Sequence, residues 1–354
     1  MEDNIKKMSD ETARLAKDAA ENARKLGGAW ETLKQIEEVE IATSKKELVW
    51  NDGKVRLFRY SSDARTEKTP LLIVYALVNK YEMMDLQPDR SFIRNLLDQG
   101  HDIYLIDWGY ADRSDRYLTM DDYINGYVDD AVDFVRKAHK LPAIDLLGVC
   151  QGGTFSVIYS ALHPEKVRRL ITMVTPIDFS TEDGLLFRWS RNLDIDTIVD
   201  GFGGVVPGWF LNMGFDQLKP LGKVRKYSGF VNMLDDKDKL LNYLRMEKWI
   251  ADSPDQAGEC YRQFLKDLYQ QNKLMKGELV VGSPVDLKNL TMPLLNIYAA
   301  EDHLVPPSAS KPLNVLVGSK DKQLYEFPGG HIGVFVGNRS QKELAPTVSK
   351  WLKA

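Results

Sequence analysis

The chain has 354 residues, enough for one large α/β domain with an insertion or for two domains. Its 47 Lys and Arg residues nearly balance 51 Asp and Glu, and no basic stripe interleaved with aromatics is present, which argues against a nucleic-acid partner. Two cysteines without metal-ligand spacing, no apolar targeting segment and no apolar run of about 18 residues predict a soluble cytoplasmic protein, without a metal or a transmembrane span.

The first 44 residues predict an N-terminal helical arm. Residues 1–40 are rich in Ala, Lys and Glu, and their apolar residues recur at a roughly helical spacing, broken at Gly27 and Gly28. The apolar positions are Ile5, Met8, Leu15, Leu26, Trp30, Leu33 and Ile36. Such a stripe packs either on its own domain or on a partner subunit, and the sequence leaves both possibilities open.

Alternating and continuous apolar runs predict the strands of one sheet. A D-G turn at 52–53 separates two alternating strands, whereas the later runs are apolar throughout, as in a parallel sheet covered on both faces. Helical patterns at about 90–99 and 121–139 give the βαβαβ order of a doubly wound sheet. The predicted strands span 47–50, 54–60, 70–75, 102–106, 144–147, 167–174, 294–299 and 323–327.

The run 144–155 combines a buried strand, a sharp turn and a helix that begins at once. Its turn reads G-x-C-x-G, the spacing of a nucleophile elbow, with Cys150 in place of serine. Gly148 and Gly152 flank the nucleophile because side chains there would collide with the adjoining strand and helix. The elbow therefore predicts an α/β-hydrolase fold, with a simple buried thiol as the alternative interpretation of Cys150.

An irregular segment separates the early strands from the last two. From about 176 to 292 the chain is mixed and aromatic, and an insertion at this point lies over the carboxyl ends of the strands. We interpret it as a lid whose aromatics are mostly packing residues, a minority lining a substrate channel. The predicted organisation is an arm at 1–44, an α/β-hydrolase core at 45–175 and 293–354, and a lid at 176–292.

Two further residues complete a catalytic set in the chain order nucleophile, acid, base. His331 lies in a glycine-flanked loop after the last strand, and a histidine can take a thiol proton and return it. Asp302 follows the preceding strand and is expected to orient His331 or to act on an incoming hydroxyl. Its neighbours Glu301 and His303 are competitors, because a loop does not determine which side chain faces inward.

Backbone N–H groups are expected to stabilise a developing oxyanion. One donor is Gln151, directly after the nucleophile, and the other should come from the loop 76–79, where we choose Val78. The loop could also be a plain connection. A structural turn explains Asp107 better than direct chemistry does, and Cys260 is expected to be a packed thiol in the lid.

Taken together, these motifs resemble the catalytic subunit of a class III polyhydroxyalkanoate synthase, the PhaC type. The resemblance runs from about residue 45 to the C-terminus, whereas the arm matches no motif of the family. The segments that carry it are 72–80, 104–109, 121–127, 148–153, 252–259, 302–307 and 327–331.

The resemblance implies polymerisation of (R)-3-hydroxyacyl-CoA, chiefly 3-hydroxybutyryl-CoA, into an intracellular polyester with release of CoA. It assigns Cys150 as the acylated nucleophile, His331 as its base, and Asp302 as the residue that helps to activate the 3-hydroxyl. It further implies no cofactor apart from the CoA thioester substrate, an oligomer, association with polyester granules, and a companion subunit of the PhaE type. Segment 269–274 would also suit a class IV enzyme with a PhaR-type partner.

The choice of sulfur fits this chemistry, since an acyl-cysteine keeps the acyl group activated as a thioester. Two other interpretations share the predicted fold. A hydrolase with a cysteine triad, such as a thioesterase or lactone hydrolase, needs the same elbow, base and oxyanion donors. A non-catalytic scaffold protein of the same fold would have no need of them.

Overall fold

The computed structural model describes residues 38–218 and 236–354, together with Lys17, Ala20, Lys34, Ile36, Phe230, Met233 and Leu234. Except for Ile36, the apolar stripe predicted for the arm lies outside the described residues. The chain divides into a smaller unit, Met1–Glu40 with Gly214–Ala251, and a larger unit, Ile41–Met213 with Asp252–Ala354. The predicted lid is therefore shared between the two units, and most of it belongs to the same compact unit as the sheet.

The larger unit is built on an eight-stranded sheet. Its strands are β1 (Glu47–Asp52), β2 (Val55–Tyr60), β3 (Leu71–Val74), β4 (Ile103–Asp107), β5 (Ile144–Val149), β6 (Val167–Met173), β7 (Leu294–Ala299) and β8 (Lys322–Phe327). They lie in the order β1-β2-β4-β3-β5-β6-β7-β8. Strand β2 pairs antiparallel with β1 and β4, and the other neighbours are parallel. The predicted α/β-hydrolase fold is confirmed.

Burial follows each strand's place in the sheet. Every residue of the central strands β3, β4 and β5 is buried, which accounts for their continuous apolar sequences. The edge strands β1 and β8 are largely exposed, so their sequences are mixed. The register places Leu72 of β3 beside Tyr104 of β4 and Leu146 of β5, and the carboxyl ends of these strands lie at one edge.

Short pairs of strands and short helices connect the main elements. The two-stranded pairs are Asp85–Gln87 with Arg90–Ser91, Val205–Val206 with Gln256–Ala257, and Val280–Val281 with Ser283–Pro284. The 3₁₀ turns are Tyr81–Met84, Pro164–Lys166 and Leu287–Asn289, and the π-helical segments are Asp122–Val128, Phe264–Gln270 and Ser340–Leu344. The α-helices are α1 (Phe92–Asp98), α2 (Asp129–His139), α3 (Gln151–Leu162), α4 (Leu185–Ser190), α5 (Ile195–Gly201), α6 (Gly208–Leu218), α7 (Lys237–Ala251), α8 (Gly258–Gln263), α9 (Lys273–Lys276), α10 (Pro307–Ser310), α11 (Leu313–Leu316), α12 (Gly333–Val336) and α13 (Ala345–Lys353).

Two helices that flank the sheet, α2 and α3, differ in how much of their surface is buried. In α2 only Ala131, Val132 and Val135 are buried, its first turn is acidic and its last turn is basic, which suits the helix dipole. In α3 every residue from Gln151 to Ala161 is buried. A helix enclosed on all sides has little freedom to shift, so the residue at its N-terminus is firmly placed.

The smaller unit holds a small apolar cluster of its own. Leu234 and Leu240 are buried there, with Ile36, Phe230 and Leu244 packed against them. Among the described parts of the chain, no helix is both long and apolar enough to cross a bilayer.

Candidate active site

Cys150 occupies the turn between β5 and α3 in a backbone conformation that side chains rarely adopt, with φ 53° and ψ −121°. Hydrogen bonds hold this turn on both sides. The Cys150 N–H donates to the Met173 carbonyl of β6 at 2.9 Å, and its own carbonyl accepts from Gly153 and Thr154 at 2.9 and 3.2 Å. The thiol is thus presented at the start of a buried helix, the geometry of a nucleophile elbow.

Close contacts explain the glycines of the elbow. A Cβ on Gly148 would lie 2.5 Å from the Gly153 Cα, and one on Gly152 would lie 2.3 Å from the Val74 carbonyl oxygen. The tightest position was not named from the sequence: a Cβ on Gly153 would lie 1.9 Å from the Thr175 Oγ1. In the sequence Gly153 is marked only as the second glycine of a G-G pair. The residue that crowds it, Thr175, lies in the segment after β6.

Asp302 and His331 lie together and both are buried, with 5% and 8% of their surfaces exposed. His331 Nδ1 lies 2.7 Å from Asp302 Oδ2, and Asp302 Oδ1 accepts the N–H groups of Leu304 and Val305, each at 2.9 Å. Cys150 acts on the same ring, since it contributes to raising the pKa of the His331 imidazole. Residues that are far apart in the sequence therefore lie together at the elbow.

The charges around His331 favour its protonated form. Burial acts to lower the pKa of the imidazole, but Asp302 and then Cys150 outweigh it and raise the pKa above the ordinary value. Of the two competitors of Asp302, Glu301 is exposed and His303 is half-buried, and the carboxylate within hydrogen-bond distance of His331 Nδ1 is that of Asp302.

The loop after β3 lies against the elbow. The Leu77 N–H donates to Gln151 Oε1 at 3.2 Å, and the Leu77 carbonyl accepts from Gln256 Nε2 at 2.8 Å. The Val78 N–H has no acceptor among the described residues. The Gln151 N–H belongs to the first residue of α3, where no intrahelical acceptor exists. Both expected oxyanion donors are therefore available for a ligand.

Two buried tyrosines flank the thiol. Burial chiefly raises the pKa values of Tyr75 and Tyr269, and the Cys150 thiolate adds to the effect on both. Tyr269 packs against Phe179 and Phe187, with ring centroids 4.8 and 5.1 Å apart. Nothing in the sequence pattern of the inserted segment, residues 176–292, indicates that Tyr269 is the side chain that packs near the elbow.

The remaining candidates have structural surroundings. Asp107 is buried, forms an ion pair with Arg56 and accepts the Gly109 N–H at 3.2 Å, so it stabilises a turn. Cys260 is buried in the apolar core, and this burial raises the pKa of its thiol. Both residues agree with the structural roles expected for them.

Solved structures of α/β hydrolases share the fold. A monoacylglycerol lipase from Paleococcus ferrophilus has a TM-score of 0.53, covering 85% of this chain and 98% of the lipase. A putative lipase from Sulfolobus solfataricus has a TM-score of 0.56, covering 87% of this chain and 92% of the lipase. Both are 14% identical in sequence, a likeness that extends to the fold alone.

Comparisons of sequence identify the family as well as the fold. Residues 69–338 match the alpha/beta hydrolase fold family, and residues 6–96 match the N-terminal family of poly-beta-hydroxybutyrate polymerase (PhaC). The poly(3-hydroxyalkanoate) polymerase subunit PhaC of Allochromatium vinosum is 52% identical over 344 residues, or 96% of this chain and 97% of that protein. The chain belongs to the poly(3-hydroxyalkanoate) polymerase family. This membership confirms the resemblance inferred from the motifs.

Other poly(3-hydroxyalkanoate) polymerases extend the comparison. The PhaC subunit of Thiocystis violacea is 50% identical, with 96% of each chain covered. That of Cupriavidus necator is 29% identical over 83% of this chain and 52% of its own length. The N-terminal polymerase match begins at residue 6, so the family similarity continues into the arm, where no motif had indicated it.

Proposed function

We propose that this chain polymerises (R)-3-hydroxyacyl-CoA, chiefly 3-hydroxybutyryl-CoA, into polyhydroxyalkanoate with release of CoA. The observation that carries the proposal is a nucleophile elbow at Cys150 with the bonded pair of His331 and Asp302 acting beside it, in a chain 52% and 50% identical to two named polymerase subunits. Cysteine is the nucleophile that lets the acyl group remain a thioester between steps.

Loading begins with the Cys150 thiolate, whose proton has passed to His331. The sulfur attacks the thioester carbonyl of the substrate, and the developing oxyanion accepts hydrogen bonds from the N–H groups of Gln151 and Val78. The bond between the carbonyl carbon and the CoA sulfur then breaks. His331 gives its proton to the departing CoA sulfur, which leaves an acyl-Cys150 thioester.

Elongation uses the same groups with an oxygen nucleophile. The 3-hydroxyl of another acyl unit attacks the acyl-Cys150 carbonyl and gives its proton to His331. An ester bond forms, the thioester bond breaks, and Cys150 returns to the thiolate. Asp302 Oδ1 already accepts two backbone N–H groups and Oδ2 faces His331, which supports an action of Asp302 on the hydroxyl through the imidazole.

Water competes with the hydroxyl for the acyl-enzyme, so its exclusion decides whether polymer or free acid is formed. Cys150 is only partly exposed and both flanking tyrosines are buried. Phe179, Phe187 and Phe264 pack around Tyr269 with little or no exposure. This apolar surrounding supports acyl transfer to a hydroxyl in preference to hydrolysis.

A cytoplasmic setting, a companion subunit of the PhaE type, an oligomeric state and attachment to polyester granules complete the proposal. The related proteins of A. vinosum and T. violacea are named as subunits. In the inserted segment Trp209 is 62% exposed and Trp189 is 42% exposed, and side chains of this kind suit contact with an apolar surface.

The deciding experiment is incubation with (R)-3-hydroxybutyryl-CoA, with and without a PhaE-type subunit. We expect CoA release, an acyl adduct on Cys150 by mass spectrometry, and an insoluble polyester. CoA release with soluble 3-hydroxybutyrate as the product would instead identify a thioesterase. Neither CoA release nor an adduct under both conditions would identify a non-catalytic scaffold of the same fold.

A further inference from the structure

Two buried glutamine side chains hold Leu77, one on each of its peptide groups: Gln256 on the peptide that joins Leu77 to Val78, and Gln151 on the peptide before it. Gln256 Nε2 donates to the Leu77 carbonyl at 2.8 Å, and Gln151 Oε1 accepts the Leu77 N–H at 3.2 Å. Gln151 and Gln256 are 8% and 4% exposed. Buried side-chain amides that bond to one residue from both sides define its orientation closely.

The orientation of this peptide decides where the Val78 N–H points. The Leu77 carbonyl and the Val78 N–H belong to the same planar group, and no cis peptide occurs among the described residues. In a trans peptide these two groups point in opposite directions. A donor that bonds to the carbonyl on one side therefore directs the N–H to the other side, where no acceptor exists among the residues that the structure describes.

Gln256 comes from the inserted segment, 179 residues from Leu77. Its backbone pairs with Val206 in a short antiparallel ladder. The segment has a second connection near the same loop, since Tyr110 donates to Asp252 Oδ1 at 2.6 Å and Lys80 donates to the Tyr110 hydroxyl at 3.1 Å. The position of Gln256 is thus defined by the strand pairing and hydrogen bonds that hold its segment.

We propose that Gln256 is a positioning residue, which holds the Leu77–Val78 peptide so that the Val78 N–H serves the oxyanion formed at Cys150. The inference rests on the proposed function, because the oxyanion belongs to acyl transfer. Gln256 does not touch the reacting atoms. It acts through one peptide plane, so its loss should slow acyl transfer and leave the reactivity of the thiol intact.

The substitution Gln256→Met tests this idea, since methionine has a similar length and cannot donate. We expect acylation of Cys150 by 3-hydroxybutyryl-CoA, and by p-nitrophenyl butyrate, to slow about 10- to 100-fold, the range for a misplaced oxyanion donor. Alkylation of Cys150 by iodoacetamide is a displacement without an oxyanion. Its rate should stay within about twofold of wild type, since it depends on the thiolate alone.

Gln263→Met is the matched control. Gln263 Oε1 accepts the Met120 N–H at 2.8 Å, so the same change removes one bond between a glutamine and the backbone elsewhere in the inserted segment. Its acylation rates should match wild type. Equal loss in both variants, equal slowing of acylation and alkylation in Gln256→Met, or unchanged acylation in Gln256→Met would each overturn the inference.

A second variant keeps the test decisive if Gln256→Met folds poorly. In Gln256→Glu the new carboxylate cannot donate at neutral pH and repels the Leu77 carbonyl, whereas its protonated form can donate. The acylation rate relative to wild type should therefore rise as the pH falls from about 8 to about 5.5, the range in which a buried carboxyl titrates. A flat ratio contradicts the inference.

The wild-type protein separates this inference from the proposed function. Failure of wild type to release CoA from 3-hydroxybutyryl-CoA would defeat the proposed function. A wild type that releases CoA, beside a Gln256→Met variant of equal rate, would defeat the positioning role alone.

Discussion

The elbow around Cys150 and the loop around Val78 lie side by side, but they are held in different ways. The elbow is held by its own glycines and by backbone bonds to the next strand. The loop is held by glutamine side chains that are 74 and 179 residues from Leu77 in the sequence. The nucleophile is thus placed by local geometry, whereas the proposed oxyanion donor depends on a distant segment.

This difference has a functional consequence. The backbone hydrogen bonds of the elbow do not involve Gln256, so Cys150 should keep its place when that side chain is changed. The Val78 N–H should respond, since Gln256 holds the carbonyl of the same peptide. A change in the inserted segment can therefore alter acyl transfer while the thiol stays reactive.

The largest expected effect is the loss of polymerisation when the nucleophile of the elbow is replaced. Cys150→Ser replaces a thioester intermediate with a more stable oxygen ester and a weaker nucleophile, and we expect polymerisation to fall by about 10³-fold or more. CoA release and polymer yield measure the loss, with circular dichroism to show that the fold is kept. Turnover near that of wild type would show that sulfur is dispensable and would defeat the mechanism.

Asp302→Asn tests the carboxylate that supports the base, His331. Burial acts to lower the pKa of His331 and Asp302 is the main group that raises it, so the imidazole should lose its proton at a lower pH in the variant. Acylation should fall by about 10²-fold or more, because the ring loses its orientation as well. NMR titration of the ring and CoA release measure the two effects.

Asp286→Asn serves as a control for Asp302→Asn. Asp286 is exposed, and its carboxylate accepts the N–H of Lys288 at 2.9 Å, a local turn bond like those of Asp302. The control should leave the His331 titration and the acylation rate unchanged. An unchanged His331 pKa in Asp302→Asn would contradict the electrostatic account of the pair.

Gly153→Ala sharpens the claim that local geometry places the elbow. The added methyl would start 1.9 Å from Thr175 Oγ1, so Thr175 or the backbone of the elbow has to shift, and we expect a loss of about 2 kcal/mol in the free energy of unfolding. In the control Gly126→Ala the methyl meets no atom within 4 Å. Denaturant unfolding should show this control at or slightly above wild-type stability.

The smallest effect on stability concerns the surface of the inserted segment. Trp209 is 62% exposed, so Trp209→Ala should change the free energy of unfolding by less than about 0.5 kcal/mol. Binding to polyester granules should weaken, as measured by co-sedimentation. Val315→Ala is the control, because Val315 is 83% exposed but lies outside the inserted segment. Equal binding of both variants and wild type would show that Trp209 does not contribute to granule binding.

Much of the fold was accessible from the sequence because its signals are local. Continuous apolar runs predicted the central strands. The observed β5 begins at the predicted Ile144 and ends at Val149, two residues beyond the predicted end. The elbow was visible because the glycines that it requires stand at fixed positions beside the nucleophile, in the spacing G-x-C-x-G. Gly153 lies outside that spacing, and its close contact with Thr175 is visible only in the fold.

The sequence by itself determined the sheet, the elbow and the order in which Cys150, Asp302 and His331 follow along the chain. Only the tertiary structure decided which side chains meet: Asp302 in place of Glu301 at His331, Tyr269 beside the thiol, and Gln256 on the Leu77 carbonyl. The physical reason is the range of the interactions. Strand and helix patterns arise from the periodicity of neighbouring residues, whereas a buried hydrogen bond between distant segments leaves no periodic trace in either one.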